Sequence, residues 1–398
     1  MLRLNNKIVM GAKHFAHSIP LNIISSILMI VAAASSIILY NTSLKSFLEE
    51  VSLAYDLKFV ANEVLMTIFF FLVGMELKKE LISGVLRNKA YVTSALLAAI
   101  GGMLLPILIF LLINFNNPEV RAGFAIPCAT DIAFALGAFN LIPKNTFSYK
   151  AKIFLLAIAV FDDIGSILLI ASFYSKKLQF QYLSIVIIGL VILMVARKKQ
   201  QQNFLPYLLG GALLWIGAKL IGVHVTIAGV ITGLFLPYNA GYNENPLFNK
   251  LFKSLNSGVN LLVLPIFSFV ACNIDLSDIK SSFLLNKNFL SVAISLFLGK
   301  QIGIIGFMTA AQFCKITSTE SRLPFKDMYI VSSLAGIGFT MGLFISELAF
   351  PDAQVILSQV KSGLLFASAF AIIWGLIYAT LIKLYSRSQI QANYHSLR

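Results

Sequence analysis

A polytopic, all-α membrane protein of about twelve transmembrane helices is what this 398-residue sequence predicts, and three observations carry that prediction. The first is composition. Hydrophobic residues make up 58% of the chain and charged residues only 12%, with a mean hydropathy of +0.84. A water-soluble domain carries about 25% charged residues, so the chain has half the charge needed to coat a soluble surface. The second is a set of long uncharged runs, at 21–39, 91–118, 178–196, 220–243 and 362–382. Each is close to or beyond the roughly 20 residues that cross a bilayer as helix, and in lipid a backbone must bond within its own segment. The third is where the charges fall. With twelve spans and the N-terminus inside, the inner segments sum to +17 and the outer loops to +1. This asymmetry follows the positive-inside rule, places both termini in the cytoplasm, and accounts for the net charge of +14 without a nucleic-acid partner.

Taken in order, the first span, 18–40, follows Arg3, Lys7 and Lys13 as a signal peptide would. It is too long for a signal h-region, so it reads as a retained helix. The second, 59–83, ends in Glu76, Lys79 and Glu80, with the two acids one helical turn apart. The third is 91–113. The fourth, 121–141, contains Ala125-Ile126-Pro127-Cys128-Ala129-Thr130-Asp131, and the fifth, 150–174, carries Asp162 and Asp163. Spans at 180–199, 204–220, 222–237 and 250–271 follow, then 288–314 with Lys300. The eleventh, 326–349, holds three glycines within Gly336-Ile337-Gly338-Phe339-Thr340-Met341-Gly342, and the twelfth is 356–384. Proline removes an amide donor and glycine costs about 1 kcal/mol in a helix interior, so spans four and eleven are expected to unwind in mid-membrane. A pair of interrupted spans, one in each half of the chain, points to an inverted-repeat transporter site. Connections are short, no soluble domain or linker is evident, and residues 1–398 read as one membrane domain. Cys128, Cys272 and Cys314 are scattered and read as small apolar packing residues.

Six charges remain inside spans: Glu63, Glu76, Asp131, Asp162, Asp163 and Lys300. Asp131 is flanked by nine and twelve uncharged residues, the Asp162–Asp163 pair by nine and twelve, and Lys300 by twelve and fourteen. At 1.5 Å per residue all four lie near the bilayer midplane, where each costs at least about 2.5–3.5 kcal/mol. A purely structural ion-pair cluster fails on count, because three acids and one base leave two negative charges over. Protons and a small hard cation are the agents able to neutralise them. Burial and a like-charged neighbour favour the protonated form of a carboxylate, and a bare carboxylate suits a cation that prefers oxygen ligands. Competition of protons and Na⁺ for one site, joined to alternating access, is antiport. Adjacent residues on a helix point about 100° apart, so Asp162 and Asp163 must differ in role, one facing the acid of span four and the other Lys300.

These residues carry a resemblance. The chain is similar to the NhaA family of bacterial sodium/proton antiporters over nearly its whole length. The match is strongest at Phe69-Phe70-Phe71-Leu72-Val73-Gly74-Met75-Glu76-Leu77-Lys78-Lys79-Glu80-Leu81, Ala129-Thr130-Asp131-Ile132-Ala133-Phe134-Ala135-Leu136-Gly137 and Asp162-Asp163-Ile164-Gly165. It continues at Gly222-Val223-His224-Val225-Thr226-Ile227-Ala228-Gly229, Gly299-Lys300 and Gly336-Ile337-Gly338-Phe339-Thr340-Met341. The resemblance implies two inverted three-helix repeats, spans 3–5 and 10–12, whose interrupted helices cross at the midplane. It implies Asp163 as the principal cation and proton carrier, with Asp131 beside it and Thr130 near the cation. Asp162 and Lys300 become a compensating pair, and Glu76, Lys79 and Glu80 the cytoplasmic pH-response region. The implied activity is electrogenic exchange of two protons for one Na⁺ or Li⁺ across the inner membrane, for pH and sodium homeostasis. No cofactor is expected, and the expected partners are these ions, the bilayer and a homodimer. His224 matches a family histidine but reads as structural.

Two departures from the family stand out. The connection 238–249 has one acid, Glu244, and no histidine, while Lys253 and Asn256 fall near the family's histidines. The first outer loop, 41–58, is short for a dimerising β-hairpin, which predicts a weak dimer. An enzyme reading finds no support: an intramembrane aspartyl protease needs Gly-x-Gly-Asp, and here Gly336-Ile337-Gly338 is followed by Phe339. The serious alternative is a cation or organic-anion symporter on a related broken-helix fold.

Overall fold

The computed structural model describes residues 20–84, 89–143, 146–175, 178–239, 245–275, 286–316 and 322–396. Arg3, Lys7, Lys13, Lys144, Glu244 and Arg398, which entered the charge reading, lie outside the described residues, as do His14 and His17. So do the side chains of Arg387 and His395. Among the described residues every regular element is a helix.

Helix α1 (Leu21–Tyr40) buries a stripe of small and thin side chains, Ser25, Ser26, Met29, Ala33 and Ser36. Such a stripe lets helices approach closely where lipid supplies no hydrophobic drive. The connection 41–56 contains a helix, α2 (Lys45–Ala54), none of whose side chains is buried. Then come α3 (Leu57–Ser83) and α4 (Lys89–Ile113). The fourth span is broken into α5 (Pro118–Cys128) and α6 (Ile132–Leu141), bent by 49°. Helices α7 (Tyr149–Phe173), α8 (Phe180–Lys198), α9 (Leu205–Ile221), α10 (Thr226–Phe235), α11 (Pro246–Ala271) and α12 (Lys287–Phe313) follow. The eleventh span is broken into α13 (Phe325–Ala335) and α14 (Phe339–Ala349), bent by 43°, and α15 (Gln354–Ser396) ends the chain.

Eight of these helices are long and apolar enough to cross a membrane, ten when each bent pair counts as one span. Their bounds fall within a few residues of the expected spans, except that α15 continues to Ser396, past the expected end at 384, and that α10 covers only 226–235 of the expected 222–237. The reason is Gly222, whose φ of 94° ends α9 in the left-handed region that glycine adopts at no steric cost. Residues 222–225 are then spent on the turn.

Two close contacts fix the frame around the site. Helices α3 and α10 touch backbone to backbone: a Cβ at Gly74 would lie 2.4 Å from the Val230 carbonyl oxygen, and one at Gly233 2.5 Å from that of Phe71. The buried ammonium of Lys78 reinforces this contact by donating to the carbonyls of Leu234 and Leu236, the orphan acceptors at the α10 C-terminus. Helices α4 and α12 meet in the same way through Gly101 and Gly303, which brings Lys300 in against the core. Three helices carry a π-helical turn: Val60–Leu65 in α3, Val259–Val263 in α11 and Ser295–Gly299 in α12, the last immediately before Lys300. Cys128 and Cys272 pack in the core as expected, whereas Cys314 is exposed because it caps the end of α12.

Candidate cation site at the crossing of the broken helices

The two breaks, residues 129–131 and 336–338, meet each other. The Asp131 amide donates to the Ile337 carbonyl at 2.6 Å, and the Thr130 hydroxyl lies 2.8 Å from the Ala335 carbonyl. Unwinding frees these backbone groups from their own helices, and each break supplies what the other lacks. The Asp131 side chain completes the junction. Its Oδ1 accepts from Phe134 N at 3.0 Å, capping α6, and its Oδ2 accepts from Thr340 N at 3.0 Å and from the Thr340 hydroxyl, capping α14. A helix N-terminus carries about half a positive charge, so two of them converge on one carboxylate.

Helix α7 brings in the neighbouring pair. Asp162 is fully buried, and its Oδ2 accepts from Lys300 Nζ at 2.5 Å and lies 2.6 Å from the Thr130 hydroxyl. Lys300, also fully buried, donates in addition to Thr130 Oγ1 at 3.0 Å. Thr130 thus has one proton to offer, with Asp162 and the Ala335 carbonyl both in reach, while its lone pair takes the ammonium. Asp163 is different. It is 1% exposed, and neither of its carboxylate oxygens has a hydrogen-bond partner. It faces a cavity of about 100 Å³ whose wall also includes Asp131, Thr130, Glu76, Asn256 and Asn260.

Electrostatically the three acids are therefore unequal. Lys300 neutralises Asp162, two half-helix ends meet Asp131, and among the described residues no side chain or amide bonds to Asp163. A buried carboxylate without a partner is costly, which makes it a place for a proton or a cation. Among the described residues no group of three or more His, Cys, Asp and Glu is placed to hold a metal ion. The donors around the cavity are instead three carboxylates, two threonine hydroxyls and side-chain amides, which is oxygen chemistry suited to a small hard ion.

A family model described as Na⁺/H⁺ antiporter 1 matches residues 16–379, most of the chain. The chain belongs to this antiporter family. Among its relatives, the Na⁺/H⁺ antiporter NhaA of Nitratiruptor sp. is 37% identical over 367 residues, covering 88% of this chain and 94% of its own. The NhaA of Pelagibacter ubique is 33% identical over 384 residues, covering 93% and 98%. Among solved structures, the sodium proton antiporter MjNhaP1 of Methanocaldococcus jannaschii superposes with a TM-score of 0.54 at 17% identity. That match covers 96% of this chain and 95% of the other, and it shows a shared helical fold.

Of the residues singled out in the sequence, the structure brings together Thr130, Asp131, Asp162, Asp163, Lys300 and Glu76. Glu76 is half-buried and lines the same cavity as Asp163. Lys79 and Glu80 stand off from it: Lys79 is exposed, its ammonium 4.8 Å from the centre of the Phe252 ring, and Glu80 lies one turn beyond Glu76. His224 is hydrogen-bonded to the Thr226 hydroxyl at 2.9 Å and packs edge-on against Phe344, both structural contacts.

Two charges counted as outer-loop charges belong elsewhere. Glu347 and Lys361 are both buried and paired at 2.5 Å, with Asn273 Oδ1 3.2 Å from the same ammonium. The turn between α14 and α15 is only four residues, so positions fourteen apart in sequence face each other. Asp327, counted as a cytoplasmic-loop charge, is also buried and accepts from the Ser148 amide at 3.3 Å and from its hydroxyl, tying α13 to the N-terminus of α7. Thr340, Asn260 and the buried Lys78 were not singled out for the site. Thr340 and Lys78 stand inside the motifs that carry the resemblance, while Asn260 had no sequence signal beyond being a polar residue in an apolar span.

Proposed function

We propose that this chain exchanges Na⁺, or Li⁺, for protons across a bacterial inner membrane by alternating access, moving two protons per cation and so carrying net charge. The observation that carries this reading is the Asp163 carboxylate, buried and unpartnered in a cavity it shares with Asp131 and Thr130. In the deprotonated state Asp163 and Asp131 supply the charge and oxygens that hold the cation, with Thr130 contributing its hydroxyl. In the alternate state protons occupy the carboxylates. Asp162 and Lys300 stay paired and set the charge balance of the crossing, and Glu76, with Lys79 and Glu80, modulates access from the cytoplasm. The transported ions are substrates; no resident cofactor enters the cycle.

The architecture we assign is a single domain over residues 1–398. Counting α9 and α10 as spans gives twelve, both termini lie in the cytoplasm, and spans 3–5 and 10–12 form two inverted repeats. The paired bends of 49° and 43°, in the second span of each repeat, support that assignment. In keeping with the short connection 41–58, which α2 occupies, the protein assembles as a weak homodimer. Dilution of detergent-solubilised protein to nanomolar concentration should yield monomers, and a dimer that survives it refutes the assembly.

The deciding measurement is proton flux in inside-out vesicles. Addition of Na⁺ or Li⁺ should dissipate a preformed pH gradient, and an imposed membrane potential should change the rate. Absence of a response to both ions anywhere between about pH 6.5 and 9 overturns the reading. Protons moving in the same direction as the cation identify a symporter instead.

A further inference from the structure

Helix α11 is α-helical on either side of residues 259–263, where one π-helical turn inserts. Such single turns carry an extra residue and shift the side chains that follow. Here the residue concerned is Asn260, buried to 7% exposure in an otherwise apolar stretch. Its backbone carbonyl, displaced from the regular helical ladder, accepts the Ser25 hydroxyl of α1 at 2.8 Å. Its side-chain nitrogen donates to the Asn256 backbone carbonyl at 2.8 Å and to Asn256 Oδ1 at 2.9 Å. Both of those atoms are acceptors, so the amide has one possible orientation: the NH₂ group faces Asn256 and the oxygen faces away. Asn256 and Asn260 both line the cavity that holds Asp163 and Asp131, and Glu76 stands in the same wall.

We propose that Asn260 Oδ1 is a further oxygen ligand for the incoming cation, a specificity-determining group on the path from Glu76 to Asp163. The inference rests on the antiport reading above. A cation leaving water for a buried carboxylate must replace its hydration shell with protein oxygens, and Asp131 Oδ2 and the Thr130 and Thr340 hydroxyls are already hydrogen-bonded within the junction, which leaves room in that shell for a further oxygen. A neutral amide oxygen held rigid by two hydrogen bonds supplies a ligand at little ordering cost and binds no proton at physiological pH. It therefore favours the cation over the proton in their competition for Asp163. Asn256 is the positioning residue, acting by holding the Asn260 amide. The cavity, about 100 Å³, has room for a cation that keeps part of its water shell.

The test compares Asn260→Ala and Asn260→Asp with wild type in the vesicle proton-flux assay, reading apparent KM for Na⁺ and maximal rate separately, with thermal stability in detergent alongside. Asn260→Ala should raise KM for Na⁺ about 3- to 10-fold and leave the maximal rate within about two-fold. Asn260→Asp keeps an oxygen in place but adds a group that can bind a proton, so its KM for Na⁺ should stay at or below the wild-type value at alkaline pH and rise more steeply than wild type as pH falls. An unchanged KM in Asn260→Ala overturns the proposal, as does a loss of stability and maximal rate equal in both variants, since that pattern belongs to a packing role. Failure of the antiport reading is distinguishable, because there wild type itself gives no cation-dependent flux.

Discussion

Asp162 and Asp163 share a side chain, a helix and a degree of burial, yet their surroundings assign them opposite duties. One is locked to Lys300 and Thr130 and the other is left without a partner. Replacing Asp163 with Asn should abolish exchange, because an amide neither carries the proton nor neutralises the cation. It should also leave thermal stability equal or higher, since an uncompensated buried charge is removed. Wild-type flux in Asp163→Asn would place the carrier elsewhere. Lys300→Ala should do the reverse to stability: stranding Asp162 without its partner is expected to cost about 3–5 kcal/mol, seen as a lower Tm. Adding Asp162→Asn to Lys300→Ala should recover much of that loss, and no recovery would argue that Lys300 stabilises through packing alone. The clustering of these four charges was legible from their uncharged flanks, and the adjacency of two acids made a division of labour the natural expectation. Which acid took which part was not legible from spacing, because it depends on the rotation of α7; only the resemblance assigned it. The bonds of Thr340 to Asp131 could not be read at all, since an unwound backbone can take its partner from 209 residues away.

The helical elements were the most legible feature, because lipid demands long apolar runs and Pro127 and the glycines of 336–342 announce where the backbone must leave its own ladder. The failures were at contacts between helices. Lys361 and Glu347 illustrate this, since a four-residue turn makes a buried pair of what reads as two loop charges. Lys361→Met alone should lower Tm, costing about 3–5 kcal/mol, whereas Glu347→Leu combined with Lys361→Met should be near neutral or stabilising. Equal Tm for the single and double variants would show that the two charges are not coupled. The contact of α3 with α10 offers a second test. Because a Cβ at Gly74 meets backbone on the opposing helix, Gly74→Val must drive the helices apart, at about 1–3 kcal/mol. Transport should fall with stability, as α3 also carries Glu76 into the cavity wall. An unchanged Tm would mean that α10 is free to move aside.

At the scale of the molecule, pH control should follow from competition at one site. The wall around Asp163 holds acids, amides and two threonine hydroxyls, and neither Asn256 nor Asn260 titrates near neutral pH. The activity profile should therefore be shallow, with a midpoint that moves to lower pH as Na⁺ rises. A sharp onset at saturating Na⁺ with an unmoved midpoint would require a separate sensor. The junction of the two broken spans has one more consequence, and it concerns synthesis rather than transport. Helix α6 is ten residues and α14 eleven, each about half of what a bilayer crossing needs. The Asp131 amide and its Oδ2 take their partners from Ile337 and Thr340, and the Thr130 hydroxyl takes one of its own from Ala335. At roughly 5–20 residues per second, a ribosome takes about 10–40 s to cover those 209 positions. During that interval the nascent first half sits in the membrane with an open break and a bare acid. A chain released before span eleven has no means of closing the gap, and it is expected to be cleaved by membrane proteases faster than the full-length protein.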